Sequence, residues 1–185
     1  MIPAHHSRDG PDSRSYGVCR IEGKSPRRSV SHHMVGKNEA QSMINLIREL
    51  IILLSQDTLG VEDIAARIGP VIRNPGISMA LEMQPAAGMR SARLSRDPET
   101  GIPYVLTIEP EPDVRPAVAE LKAAFGDYRR ARTSFEQPAT IVFYPAMAGS
   151  WAVAVIVELE PSVDPVEDRS VERIRLRRDP INRDD

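Results

Sequence analysis

The chain has 185 residues, with 24 Lys and Arg against 26 Asp and Glu and a net charge of −2. This length suits one domain with appendages, and so small a net charge gives no overall field towards nucleic acid or an anionic membrane. The lone cysteine, Cys19, excludes an intrachain disulfide, which fits a reducing cytoplasm.

Charge divides the chain into three parts. Residues 1–36 hold six Lys and Arg against three Asp and Glu, residues 37–160 twelve against sixteen, and the remainder six against seven. The leader, 1–36, is rich in Ser, Gly and Pro and has no apolar periodicity, so it is expected to be disordered. Met34 opens a more protein-like stretch, and translation beginning there is one expectation; intact-mass measurement on the native protein tests it. Arg27-Arg28 is followed by Ser-Val-Ser-His-His and by no apolar run of the kind secretion needs. Met43–Leu54, the most apolar segment, has twelve residues and contains Asn45, Arg48 and Glu49, too short to cross about 30 Å of hydrocarbon. A cytoplasmic protein with no membrane contact is expected.

Met43, Ile44, Ile47, Leu50, Ile51 and Leu54 recur at helical spacing. Leu46, Ile52 and Leu53 widen the stripe and predict a helix covered on more than one side. A short helix follows, with Glu62 and Asp63 in its first turn, Ile64 and Ile68 inward, and Gly69-Pro70 as its stop. Period-two alternation from Ile77 to Met83 predicts a strand, and a weaker strand covers Met89–Arg96. Asp97-Pro-Glu-Thr-Gly101 is a hairpin signal leading into a strand over 102–109. Asp113 is placed to cap a helix with the stripe Val114, Ala117, Val118, Leu121, Ala124 and Phe125. Two further strands, 140–144 and 151–159, complete the domain; the second is apolar on both faces and reads as central in the sheet or covered on both sides. After Pro161 the composition reverts to charge, with one thin apolar face around Val171 and Ile174 that fits a marginal helix.

The expected fold is α+β, an antiparallel sheet of about five strands with helices mainly on one face, in the order α-α-β-β-β-α-β-β. The expected domains are a disordered leader (1–36), a single α+β domain (37–161) and a charged, mostly disordered tail (162–185).

Chemistry is sparse. His5, His6, His32, His33 and Cys19 all lie in the leader, which leaves the expected domain without imidazole or thiol and so without Ser-His-Asp, Cys-His or zinc sites built on them. No phosphate-binding glycine motif is present. No cofactor and no metal are expected, and no catalytic residue is assigned. Glu109, Glu111 and Asp113 cluster where a strand meets a helix, and a small carboxylate-dependent hydrolase or ligand-binding enzyme using them is the alternative function; acids in a Pro-rich connection are the plainer reading. Val61–Gly69 has the look of a first helix of a helix-turn-helix, but Pro70, Pro75 and Gly76 leave no room for a recognition helix. Nucleic acid is not an expected partner.

What remains is surface. Met79, Met83, Met89 and Met147 are flexible thioethers suited to a surface that repacks against a partner. Tyr144 and Trp151 flank the last hairpin loop as aromatic anchors, and Arg129 and Arg130 add basic contacts beside Tyr128. These eight are the expected partner-binding residues of a non-enzymatic cytoplasmic module that acts through an apolar surface on another protein, with a homodimer as one form it can take. The element order over roughly residues 40–160 is similar to that of small acidic secretion chaperones that hold effectors as homodimers, and to that of small toxin-neutralising immunity proteins. That resemblance implies chaperone-, inhibitor- or immunity-type binding.

Overall fold

The computed structural model describes residues 32–76, 80–131, 138–145, 150–161 and 165–181, with side chains described from Ala40 onward. The elements run α1 (His32–Leu54), α2 (Val61–Ile68), β1 (Val71–Arg73), β2 (Leu81–Met83), β3 (Met89–Arg96), β4 (Pro103–Pro110), α3 (Val118–Phe125), β5 (Tyr128–Arg130), β6 (Thr140–Phe143), β7 (Trp151–Leu159) and β8 (Val171–Pro180). Short 3₁₀ turns cover Pro112–Val114 and Val166–Asp168.

All eight strands form one antiparallel sheet in the order β1-β2-β3-β4-β8-β7-β6-β5. The expectation of about five strands is therefore corrected to eight. The fold comprises two four-strand meanders, each preceded by helix, whose last strands pair with each other at the centre. β1 and β5 are three-residue edges with too few residues to show a period. β8 is the larger correction. The segment expected to be a charged tail, with a marginal helix at most, is a ten-residue strand paired to β4 on one side and β7 on the other.

Register explains why a charged segment can be central. Leu106 pairs with Leu176 and Leu176 with Val155; Ile108 pairs with Ile174 and Ile174 with Val157. These rows continue through Leu94 and Ala92 on one side and Phe143 and Ile141 on the other, and all of these residues are buried. The alternate residues of β8, Arg173, Arg175 and Arg177, stand on the opposite face. One face of the strand is core and the other is wet, as the side-chain period of two requires.

The three helices cover the apolar face. From α1, Met43, Ile44, Ile47, Leu50, Ile51 and Leu54 enter the core, joined by Ile64 and Ile68 of α2 and Val118 and Leu121 of α3. Ile52, expected to be covered, is 63% exposed, so α1 is covered along one stripe. α1 starts at His32, which places His32 and His33 on a helix and not in a disordered leader. Asp113 caps no helix: it lies in a 3₁₀ turn, and α3 begins after Ala117, whose N–H donates to Glu120 Oε2 at 2.8 Å. Tertiary pairing sets that start, because Val118 N–H donates to the Arg169 carbonyl and Val171 N–H to that of Pro116.

The hairpin signal at Asp97–Gly101 forms the β3–β4 turn. Asp97 Oδ1 accepts from the Thr100 N–H at 2.8 Å and the Glu99 N–H at 3.0 Å, and Gly101 takes φ +71°. At the far edge, the Tyr128 hydroxyl donates to Glu167 Oε1 at 3.0 Å and its ring meets Phe143 edge-on. This ties β5 to the second 3₁₀ turn. Among the described residues, no helix is long and apolar enough to cross a membrane.

Candidate functional site

Because the helices share one side of the sheet, no described element covers the other side. That face is built from the alternate residues of each strand, and it is dominated by arginine. Arg173, Arg175 and Arg177 come from β8, Arg90 and Arg93 from β3 and Arg129 from β5, against Glu82, Glu109, Glu158 and Asp179. Val105 and Thr107 of β4, Ala154 and Ile156 of β7 and Val142 of β6 fill the positions between. The face is net positive, whereas residues 37–181 as a whole hold seventeen Lys and Arg against twenty-one Asp and Glu, so the excess of carboxylates lies elsewhere on the domain.

A ladder of ion pairs crosses the centre of this face. Arg90 Nη2 donates to Glu109 Oε2 at 3.2 Å, and Arg173 meets Glu109 Oε1 through Nε at 3.1 Å and Nη2 at 2.9 Å. Arg173 Nη1 also donates to Glu158 Oε2 at 2.7 Å, and Arg175 donates to Glu158 Oε1. Each carboxylate serves two guanidinium groups. Burial pushes the Glu109 carboxyl up, but hydrogen bonds from Arg173, Ser91 and Arg90 outweigh it and hold the group below its ordinary value. A depressed carboxylate contributes stability that is whole above the unfolded value of about 4.3 and is lost as pH falls through it towards the folded one. Urea midpoints should therefore drop between about pH 5 and pH 3, and Glu109→Gln should flatten that part of the curve. An unchanged pH slope in the variant would remove Glu109 from the ladder's energetics.

The three candidate acids do not converge. Glu109 belongs to this open face, while Glu111 and Asp113 line a separate cleft of about 290 Å³ beside Ser42, Met43, Leu46 and Gly88. The parity of β4 separates them: Glu109 alternates with the core residue Ile108, and the chain leaves the sheet at Pro110. A carboxylate held deprotonated by two arginines is a poor general acid. Among the described residues, no group of three or more His, Cys, Asp or Glu is placed to hold a metal ion.

The expected partner-binding residues scatter. Met83 and Met89 are core side chains, 2% and 4% exposed, and so are not available to a partner. Met79 and Met147 lie outside the described residues. Tyr144 is exposed at the end of β6, with the Arg129 guanidinium 5.7 Å from its ring centroid, and this pair belongs to the open face. Arg130 points to the other side, beside a cleft with Thr140 and Arg169. Trp151 also stands on the helical side, half-buried, with the Arg178 guanidinium 3.8 Å from its ring centroid.

The expectation of a charged tail over 162–185 leaves out the ladder arginines of β8 and the buried Arg178. The signal was present: Arg173-Ile-Arg-Leu-Arg177 alternates strictly, as a strand with one buried face should. Compared with known proteins, the chain matches no family model, no curated protein and no solved structure.

Proposed function

We propose that this chain is a non-enzymatic, cytoplasmic protein-binding module of the chaperone, inhibitor or immunity type, and that it engages an acidic partner protein through the uncovered face of its sheet. The observation that carries the reading is that face itself: an arginine-rich surface over β-branched side chains, on a chain that is otherwise acidic. Arginine forks match carboxylates in a planar, two-pronged geometry, and such complementarity sets partner choice and association rate. A second copy placed face to face would set positive against positive, so the partner is a different protein. Polynucleotide is disfavoured because Glu109 and Glu158 occupy the centre of the face, where phosphates would have to lie, and the aromatic Tyr144 stands at its margin. The cytoplasm is the compartment assigned, in keeping with a chain whose single Cys19 allows no intrachain disulfide.

Arg93 and Arg177 are exposed, so their reversal tests the face without touching the core. Arg93→Glu with Arg177→Glu should leave the urea midpoint within about 0.5 kcal/mol of wild type and abolish recovery of the partner when the tagged protein is purified from its native host. Recovery from wild type should fall as salt rises, since exposed charges are screened within about 8 Å at physiological ionic strength. Undiminished recovery by the double variant would sink the assignment of this face. Salt-dependent binding of duplex DNA or polyadenylate by the wild-type protein would sink protein binding as the function.

A further inference from the structure

On the helical side of the sheet, where β3 and β8 end and β4 and β7 begin, lies a cleft of about 390 Å³, within the size range of small-ligand sites. Its lining includes Ile102, Tyr104, Trp151, Arg178 and Pro180. Two of the large apolar side chains that the protein leaves exposed line it. Ile102 and Tyr104 are 38% and 43% exposed.

Arg178 is the unusual member. It belongs to the core side of β8 and is only 3% exposed. Its Nη2 donates to the carbonyls of Gln56 and Asp57 just beyond the C-terminal end of α1, a structural role that accounts for one nitrogen. Nε and Nη1 are buried without a hydrogen-bond partner, and Arg178 makes no ion pair among the described residues. A guanidinium cannot shed its proton at physiological pH, so a positive charge stands in a largely apolar wall, balanced by the Trp151 ring, by two backbone carbonyls and by the field of the Asp57 carboxylate from beyond ion-pair distance. Buried charges are ordinarily paired, because desolvation otherwise goes uncompensated. Asp97, the one carboxylate on the cleft's lining, is engaged elsewhere, by the backbone of Thr100 and Glu99.

We propose that this cleft binds the carboxylate end of an apolar ligand about the size of one aromatic residue, with Arg178 as counter-charge and Trp151 and Tyr104 as walls. A single guanidinium in apolar surroundings matches a monoanion; a phosphate dianion calls for more donors than the lining offers. Nε and Nη1 are covered by the protein, so seating the carboxylate against them requires the wall to part slightly. The site is on the opposite side of the sheet from the arginine ladder and does not depend on the partner reading.

Trp151 is the only tryptophan of the chain, so emission excited selectively at tryptophan, away from tyrosine absorption, reports on this cleft. Titration of the full chain with the peptide acetyl-Ala-Ala-Phe should give a saturable change in emission, with the free-acid form binding at least about tenfold tighter than its C-terminal amide. Phenylpropanoate in a parallel titration separates the sources: binding equal to the peptide's assigns a small free acid, and weaker binding assigns a polypeptide C-terminus. Arg178→Met should erase the acid–amide difference. Because that variant also loses the contacts beyond α1, Ile102→Glu at the exposed rim is the second arm, expected to weaken the free acid by about tenfold with an unchanged urea midpoint. Equal binding of acid and amide, no saturable change by about 10 mM, or an unaffected Ile102→Glu variant would each overturn the site.

Discussion

A chain ended at Pro161 should show no cooperative unfolding transition in urea, and its near-ultraviolet circular dichroism should be flat. The segment removed contains β8, through which β4 and β7 are joined; without it the meander β1–β4 has no hydrogen bond to the meander β5–β7. Val171, Ile174 and Leu176 are each fully buried, and burying such side chains contributes roughly 1.5–3 kcal/mol apiece. Their loss, together with two strand faces of unpaired backbone donors and acceptors, is comparable to the whole stability of a domain, about 5–15 kcal/mol. A gentler version of the same test is Leu176→Ala, which should cost about 2–5 kcal/mol. A loss below about 1 kcal/mol, within the range of surface changes, or a folded product ending at Pro161, would refute the central placement of β8.

Gly69→Ala should be the most damaging exchange of a glycine in the protein's described turns. Gly69 ends α2 at φ +139°, a conformation L side chains rarely adopt, and its N–H donates to the Ala65 carbonyl at 2.9 Å. A Cβ built there would lie 2.3 Å from the backbone carbonyl oxygen of Gln84, an approach that real Cβ atoms do not make. Backbone cannot step aside as a flexible side chain can, because the Gln84 N–H is itself bonded to the Pro70 carbonyl at 2.8 Å. The variant should therefore lose about 2–4 kcal/mol, the left-handed strain plus displacement of the β2 end. Gly101→Ala is the control. It shares a positive φ of +71° but would meet nothing within 4 Å, so only the conformational cost of about 1–2 kcal/mol applies. Equal midpoints for the two variants would show that the contact with Gln84 contributes nothing.

The two positions divide what could be foreseen. That Gly69-Pro70 stops a helix was legible, since Pro cannot continue one and Gly suits its end. That β2 passes within touching distance of this stop was not, because the approach depends on where another element packs. The acids at 109, 111 and 113 behave likewise. Their proximity in sequence suggested one site, but a strand turns successive side chains to opposite faces and then leaves the sheet, so Glu109 joined the arginines while Glu111 and Asp113 faced a different cleft. Of the eight candidate partner residues, Tyr144 with Arg129 and Trp151 fall at surfaces that the structure makes interesting, on opposite sides of the sheet. Met83 and Met89 are core for a physical reason: unbranched thioethers fill irregular cores as readily as they adapt to partners.

The linear order of residues by itself determined the elements whose signals are local and repeated: the six-residue stripe of α1, the stop after α2, the Asp97–Gly101 hairpin and the two-sided apolar strand β7. Tertiary structure alone decided what depends on distant partners. Val171–Pro180 carries so much charge that its apolar residues fit a thin helical face or one side of a strand. Leu106 and Ile108 on β4, with Val155 and Val157 on β7, resolve that choice by offering a slot between two exposed ladders. Filling the slot fixes the remaining geography: Arg173, Arg175 and Arg177 turn outward to make the basic face, and Arg178, one residue on, turns inward to stand under Trp151. Parity along one strand, imposed by its neighbours, places both candidate surfaces.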